Sequence, residues 1–163
     1  MTAALLGAGL TALAVVAAAV LLVRARILVI RVSGASMAPT LRPGDRLLVR
    51  RRGAAPRTGD VVVLPDPGPC RVGGSGAGRS LIVKRVAAAP GDPVPALLPP
   101  WERAASGVVP PGHLVLLGDN LPMSRDSRQF GPVPIDALVG VAIRRLGEGA
   151  LPPPPALRRG PGT

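Results

Sequence analysis

The sequence has no tyrosine, one phenylalanine, one tryptophan, one cysteine and one histidine among 163 residues. With so few aromatics the core has to be aliphatic, built on Ala, Val and Leu, and single-stranded nucleic acid would find almost no stacking platform. The lone Cys70 excludes an internal disulfide and any cysteine-based zinc site. It sits in the turn Pro67-Gly68-Pro69-Cys70 with no histidine nearby. The lone His113 follows Pro110-Pro111-Gly112, a surface-turn setting. Lysine is nearly missing too: of 20 Lys+Arg residues only Lys84 is a lysine.

That lysine stands in the apolar run Leu81-Ile82-Val83-Lys84-Arg85-Val86. A guanidinium does not lose its proton in a protein, whereas an ammonium buried among apolar groups can, its pKa falling by up to ~3–5 units. A half-buried lysine can therefore act as a general base near neutral pH. Taken alone, one surviving lysine is explained equally well by high-GC coding drift. Net charge is +11. The arginines are scattered, apart from Arg50-Arg51-Arg52, Arg144-Arg145 and Arg158-Arg159. No helix-turn-helix or zinc-finger pattern accompanies them, so nucleic acid is not expected as a partner. Anionic lipid headgroups account for a basic surface on a tethered chain.

Residues 2–23 carry no charged side chain, long enough for a hydrocarbon core that needs ~20 residues. No basic residue precedes the run, which favours a retained anchor over a cleaved signal peptide. Beyond it, 21 Gly and 21 Pro argue against a helical bundle and for short strands separated by turns. Strands are expected at 27–32, 46–50, 60–64, 80–86, 113–117 and 138–143. Residues 65–79 read as a hairpin tip and 93–110 as irregular. The fold expected is mainly β, a compact all-β catalytic domain of seven or eight strands with one N-terminal transmembrane helix. Its divisions are an anchor at 1–24, a β domain at 25–146 and a disordered Pro/Gly/Arg-rich tail at 147–163.

Three segments carry chemistry. Ser36 lies in a turn just after a strand, and a serine nucleophile needs a base within ~3 Å. A Ser-His-Asp triad would have to recruit His113; a Ser–Lys pair, known on other folds, suits the sequence better. The penicillin-binding S-x-x-K pattern is absent, since Met37-Ala38-Pro39 follow Ser36. Nucleophile and base must then meet across strands. The third segment, Gly118-Asp119-Asn120 through Ser124-Arg125-Asp126-Ser127-Arg128 to Gly131, is too polar for a strand.

Ser36-Met37-x-Pro39-Thr40-Leu41, then Lys84-Arg85-Val86 with Pro90-Gly91-Asp92, then Gly118-Asp119-Asn120 with Ser124-x-Asp126-Ser127-Arg128 occur in that order. In this the chain resembles the type I signal peptidases, in their small Gram-positive and mitochondrial inner-membrane form, from the membrane span to about Arg145. The resemblance implies that Ser36 is the nucleophile, Lys84 the general base and Ser124 the residue that orients the lysine. It implies an Asp126–Arg128 ion pair holding the loop, an oxyanion donor in the Ser36 backbone N–H, and Met37 lining the site near the lipid surface. By composition Met37 is equally a core residue. Gly34 stands where some members carry a second oxyanion donor. Asp119 and Asn120 read as turn formers.

The implied function is that of a membrane-bound serine endopeptidase removing N-terminal signal peptides from exported preproteins. The substrate would bind as an added strand with small residues at −1 and −3. No metal or cofactor is implied. The alternative is a dedicated maturation protease for one or a few precursors, like those that process nickel superoxide dismutase. The implied location is the cell membrane, single-pass, with the catalytic domain on the extracytoplasmic side. Arg24, Arg26 and Arg31 directly after the span bias the opposite way, and the resemblance is followed here because flanking charge is a bias rather than a requirement.

Overall fold

The computed structural model describes residues 2–51, 53, 55–67, 80–99, 107–147 and 149–153, with side chains of the first helix described from Leu13. Helix α1 (Thr2–Arg26) passes directly into β1 (Ile27–Arg31). There follow β2 (Arg46–Arg50), β3 (Val61–Pro65), β4 (Leu81–Ala88), β5 (His113–Leu117), the short α2 (Ser127–Phe130), β6 (Val133–Pro134) and β7 (Gly140–Arg145). The strands form one sheet in the order β1-β2-β7-β3-β4-β5-β6, and every adjacent pair is antiparallel.

Strand β3 lies in the middle, and its run Val61-Val62-Val63-Leu64 is buried on both faces. Side chains alternate across a strand, so Val61 and Val63 join one cluster with Met37, Leu41, Leu47, Val49 and Ala142. Val62 and Leu64 join a second cluster with Val86, Leu114, Leu116 and Val133. Every buried core residue described is Val, Leu, Ala or Met, the aliphatic interior that the missing aromatics required. A third, smaller cluster joins Ala88, Leu98, Val109 and Val115.

One turn recipe recurs before β2, before β3 and after β4. In Arg42-Pro43-Gly44-Asp45, Arg57-Thr58-Gly59-Asp60 and Ala89-Pro90-Gly91-Asp92 the glycine takes φ of +102°, +97° and +85°. This is the third position of a type II turn, where a side chain is strained. Each aspartate donates its backbone N–H to the carbonyl three residues back. Its carboxylate accepts from that residue's N–H at 2.8, 2.8 and 3.0 Å.

Several expectations need correction. The first helix runs to Arg26, two residues past the end of the expected anchor. Residues 93–110 are not wholly irregular: Pro93 bridges Val108, and Leu98 and Val109 are buried. In the segment expected to be a disordered tail from Gly147, Arg145 bridges Gly149 and Leu151 packs on the first cluster. Residues 154–163, most of the hairpin tip (68–79) and Cys70 lie outside the described residues. Among the described residues no helix is long and apolar enough to cross a membrane.

Candidate active site

The candidate side chains come from three places: the turn after β1, the middle of β4, and the loop from Gly118 to Arg128. On β4, Lys84 pairs with Val62 of β3 and is only 3% exposed. Its Nζ donates to Ser124 Oγ at 3.0 Å. Burial holds the amine below its ordinary value of 10.5; Asp126 and Asp66 pull it up, and Arg128 adds to the lowering. Desolvation outweighs the attraction of the two carboxylates, so the net shift is downward.

The Ser124 loop is fixed by Asp126, which is fully buried. Asp126 caps α2 in a capping box with Gln129 and accepts from the Gly118 N–H at 3.0 Å. It also takes Arg128 Nε at 2.8 Å and Nη2 at 3.1 Å. The same guanidinium donates to the carbonyls of Leu121 and Ser124 at 2.6 and 3.1 Å. Burial alone would raise the Asp126 carboxyl pKa. Hydrogen bonds from the Arg128 side chain, the Gly118 amide and the Ser124 hydroxyl outweigh it, and the net shift is downward.

The turn carrying Ser36 is held against this loop. Asn120 donates its backbone N–H to the Ser36 carbonyl at 2.9 Å and its Nδ2 to the Ala35 carbonyl at 3.1 Å. Gly118 lies between the two serines: a Cβ there would collide with Ser124 Oγ and stand 2.5 Å from the Ser36 carbonyl oxygen. The main chain of the Ser36 turn and the Lys84–Ser124 pair thus meet around Gly118. Met37, expected near the lipid surface, is 1% exposed and packs in the first core cluster. It follows Ser36 in a turn that folds back over Val32, so its side chain enters the interior. His113 hydrogen-bonds the Pro111 carbonyl in its own turn. It is five residues up β5 from Gly118, ~16 Å at the rise of a strand.

Beside Ser36 runs a groove of about 450 Å³. Its walls are Ile30–Gly34 on one side and Ser80–Val83 on the other, with Met37 beneath. Both walls present strand edges. β1 ends the sheet order, and β4 pairs with β5 only from Arg85 onward, leaving Leu81–Val83 bonded to β3 alone among the described residues.

Sequence reasoning missed two positioning groups. Asp119, read as a turn former, makes a two-pronged pair with Arg85: Nε to Oδ1 at 2.8 Å and Nη2 to Oδ2 at 2.7 Å. Both side chains are under 9% exposed, and Arg85 also reaches the Gly59 carbonyl. Asn120, likewise read as a turn former, clamps the Ser36 turn. The available signal was Lys84-Arg85 itself. Two consecutive cations in an otherwise apolar strand point to opposite faces, so each needs its own polar partner.

The family model described as signal peptidase, peptidase S26, matches residues 5–96 and 95–146. The chain belongs to the signal peptidase family. It is 35% identical over 120 residues to mitochondrial ATP-independent inner membrane protease subunit 1b of Arabidopsis thaliana, covering 69% of this chain and 66% of that one. It is 33% identical over 131 residues to the probable signal peptidase I-1 of Synechocystis, covering 68% and 66%. It is 33% identical over 115 residues to human mitochondrial inner membrane protease subunit 1, covering 69% and 64%. The chain therefore spans about two thirds of the length of these relatives.

In this signal peptidase family member Gly118 leaves no room for a side chain. Gly118→Ala must push the Ser36 turn and Ser124 apart, because neither the Ser36 carbonyl nor the short Ser124 side chain can swing away. Overpacking of this kind costs ~1–3 kcal/mol. The variant should fold with a lowered melting temperature and lose Lys84–Ser124 contact. A melt and a peptidase rate both equal to wild type would contradict the geometry described.

Proposed function

We propose that this chain is a membrane-bound serine endopeptidase that uses a Ser36–Lys84 dyad to remove N-terminal signal peptides from exported preproteins. The observation that carries the reading is the buried Lys84 amine. It is held by Ser124 at 3.0 Å and shifted toward its neutral form, and Ser124 lies across Gly118 from the main chain of the Ser36 turn.

A neutral amine has two N–H bonds and one lone pair. Donating one N–H to Ser124 Oγ orients the lone pair, which accepts the Ser36 Oγ proton as that oxygen attacks the scissile carbonyl carbon. The Ser36 backbone N–H stabilises the oxyanion. The resulting ammonium then protonates the leaving amine. Water, deprotonated by the amine again neutral, attacks the acyl carbon, and the ammonium so formed returns its proton to the departing Ser36 Oγ. Asp126 and Arg128 act by fixing Ser124, and Asp119–Arg85 and Asn120 by fixing the Ser36 turn.

Substrate lies extended in the groove between β1 and Leu81–Val83, making main-chain bonds to the two open edges. Two flanking edges read backbone, so sequence selection falls to shallow pockets that take small side chains at −1 and −3. The anchor is assigned from the sequence to the uncharged run 2–23 that begins α1. No charge occurs before Arg24, and its large apolar side chains from Leu13 to Val23 are 50–68% exposed. The catalytic domain, 25–146 in the sequence division, is assigned to the extracytoplasmic side.

The test is incubation of the detergent-solubilised full chain with a preprotein, wild type beside Ser36→Ala. Wild type should release the mature protein with small residues at −1 and −3, and Ser36→Ala should release none at an unchanged melting temperature. Cleavage by Ser36→Ala, or a Ser36→Ala chain that fails to fold, overturns the assignment.

A further inference from the structure

A cavity of about 660 Å³ shares no lining residue with the groove beside Ser36. Arg50 and Arg51 form part of its wall, Ile135, Leu138 and Val141 give it an apolar side, and Asp136 is its one carboxylate. Arg50, Arg51 and Asp136 are solvent-exposed. The proposed mechanism uses none of these groups.

Its position is fixed by the end of α1. Arg50 pairs with Ile27, the first residue after the helix, and the Arg51 N–H donates to the carbonyl of Arg26, the last helical residue, at 2.7 Å. Neighbouring strands lie ~4.8 Å apart. The polar headgroup layer on each side of a bilayer is roughly 5–7 Å deep. If α1 spans the membrane, both arginines therefore stand at headgroup depth. A bilayer offers phosphate next to glycerol and acyl chain, and this cavity is lined by two arginines next to apolar residues. Guanidinium binds phosphate oxygens with two parallel N–H bonds.

From this juxtaposition we propose that the cavity between β2 and the Ile135–Val141 segment binds the phosphate headgroup of an anionic phospholipid through Arg50 and Arg51. The proposal rests on reading α1 as the membrane anchor. A bound lipid would pin the β2 end of the sheet to the bilayer surface and fix the height of the domain above it.

The test uses the full chain in vesicles of phosphatidylcholine and phosphatidylglycerol in equal amounts, with retained lipid counted by native mass spectrometry. Carbonate extraction of the same vesicles is run in parallel. Wild type should stay in the carbonate pellet and retain phosphatidylglycerol over phosphatidylcholine by roughly ten- to thirty-fold, the scale of two basic residues at a charged surface. Arg50→Gln/Arg51→Gln should lose that preference. Arg42→Gln/Arg46→Gln removes the same charge at the far end of β2 and should keep it. Asp136→Asn, which removes the one carboxylate, should strengthen the preference, a gain that misfolding cannot imitate. Equal preference in all four proteins, or an unaltered preference in Arg50→Gln/Arg51→Gln, overturns the site. Release by carbonate overturns the anchor, and the lipid source with it. Competition by millimolar inorganic phosphate that abolishes the preference would assign the cavity to free phosphate instead.

Discussion

Lys84→Arg is expected to be as inactive as Lys84→Ala although it keeps the positive charge. Its rate should fall by roughly 10²–10⁴-fold, the usual contribution of a positioned general base. The wild-type amine is 3% exposed and held below 10.5 by desolvation, so it can be neutral when Ser36 must lose its proton. A guanidinium in the same cavity stays charged and has no lone pair to offer. Stability separates this from general damage. Between the lowered native pKa and 10.5 the unfolded chain binds more protons at Lys84 than the folded one. Wild-type stability from this group therefore rises with pH across that window. Arg at position 84 loses that rise, while Lys84→Met, apolar and of similar length, should fold at least as well as wild type and still be inactive. Measurable turnover by Lys84→Arg would remove Lys84 from the role of base.

Asp126→Ala should have the largest effect on stability. The carboxylate is fully buried and pairs Arg128 at 2.8 Å. It also accepts the Gly118 and Arg128 amides. Breaking a buried pair while leaving the partner costs ~3–5 kcal/mol, on the order of 10–20 °C in melting temperature for a domain of this size. Because the native pKa is lowered from 3.8, this stability is fully present above that value. It is lost as pH falls through the native pKa, so the wild-type and Asp126→Ala melts should converge in acid. By contrast the exposed Arg125–Asp66 pair belongs to a class worth ~0–1 kcal/mol. A thermal melt unchanged by Asp126→Ala at neutral pH would contradict the account of the loop.

The parts of the fold legible in the sequence were those with a local cause. β2 and β5 begin and end at the expected residues, because a turn glycine sits just before each and β-branched or leucine residues fill it. β4 runs on to Ala88 past the expected Val86, since a bulge between Val86 and Ala88 lets it keep pairing with β5; alanine gives no β signal of its own. β6 is two residues, one of them proline, and exists only because His113 and Leu114 lie opposite it. Leu98 and Leu151 are ordered by the clusters they join, a tertiary effect in segments whose composition reads as loop. The site divides the same way. Ser36, Lys84 and Ser124 stood out through residue type and motif. The Arg85–Asp119 pair joins residues 34 positions apart, and the Asn120–Ala35 clamp joins residues 85 apart, and no local pattern encodes either.

The most direct measurement of the dyad is the pH dependence of kcat/KM for cleavage of a signal-peptide substrate by wild type, Ser124→Ala and His113→Ala. Activity should rise with pH as a single group with an apparent pKa below the ordinary lysine value of 10.5 loses its proton. Ser124→Ala should lower kcat more than it changes KM, because the substrate does not depend on Ser124 for binding. His113→Ala should leave both profile and rate at wild-type values. A wild-type profile that disappears with His113→Ala, or one that follows an unperturbed lysine, would contradict Lys84 as the base that activates Ser36.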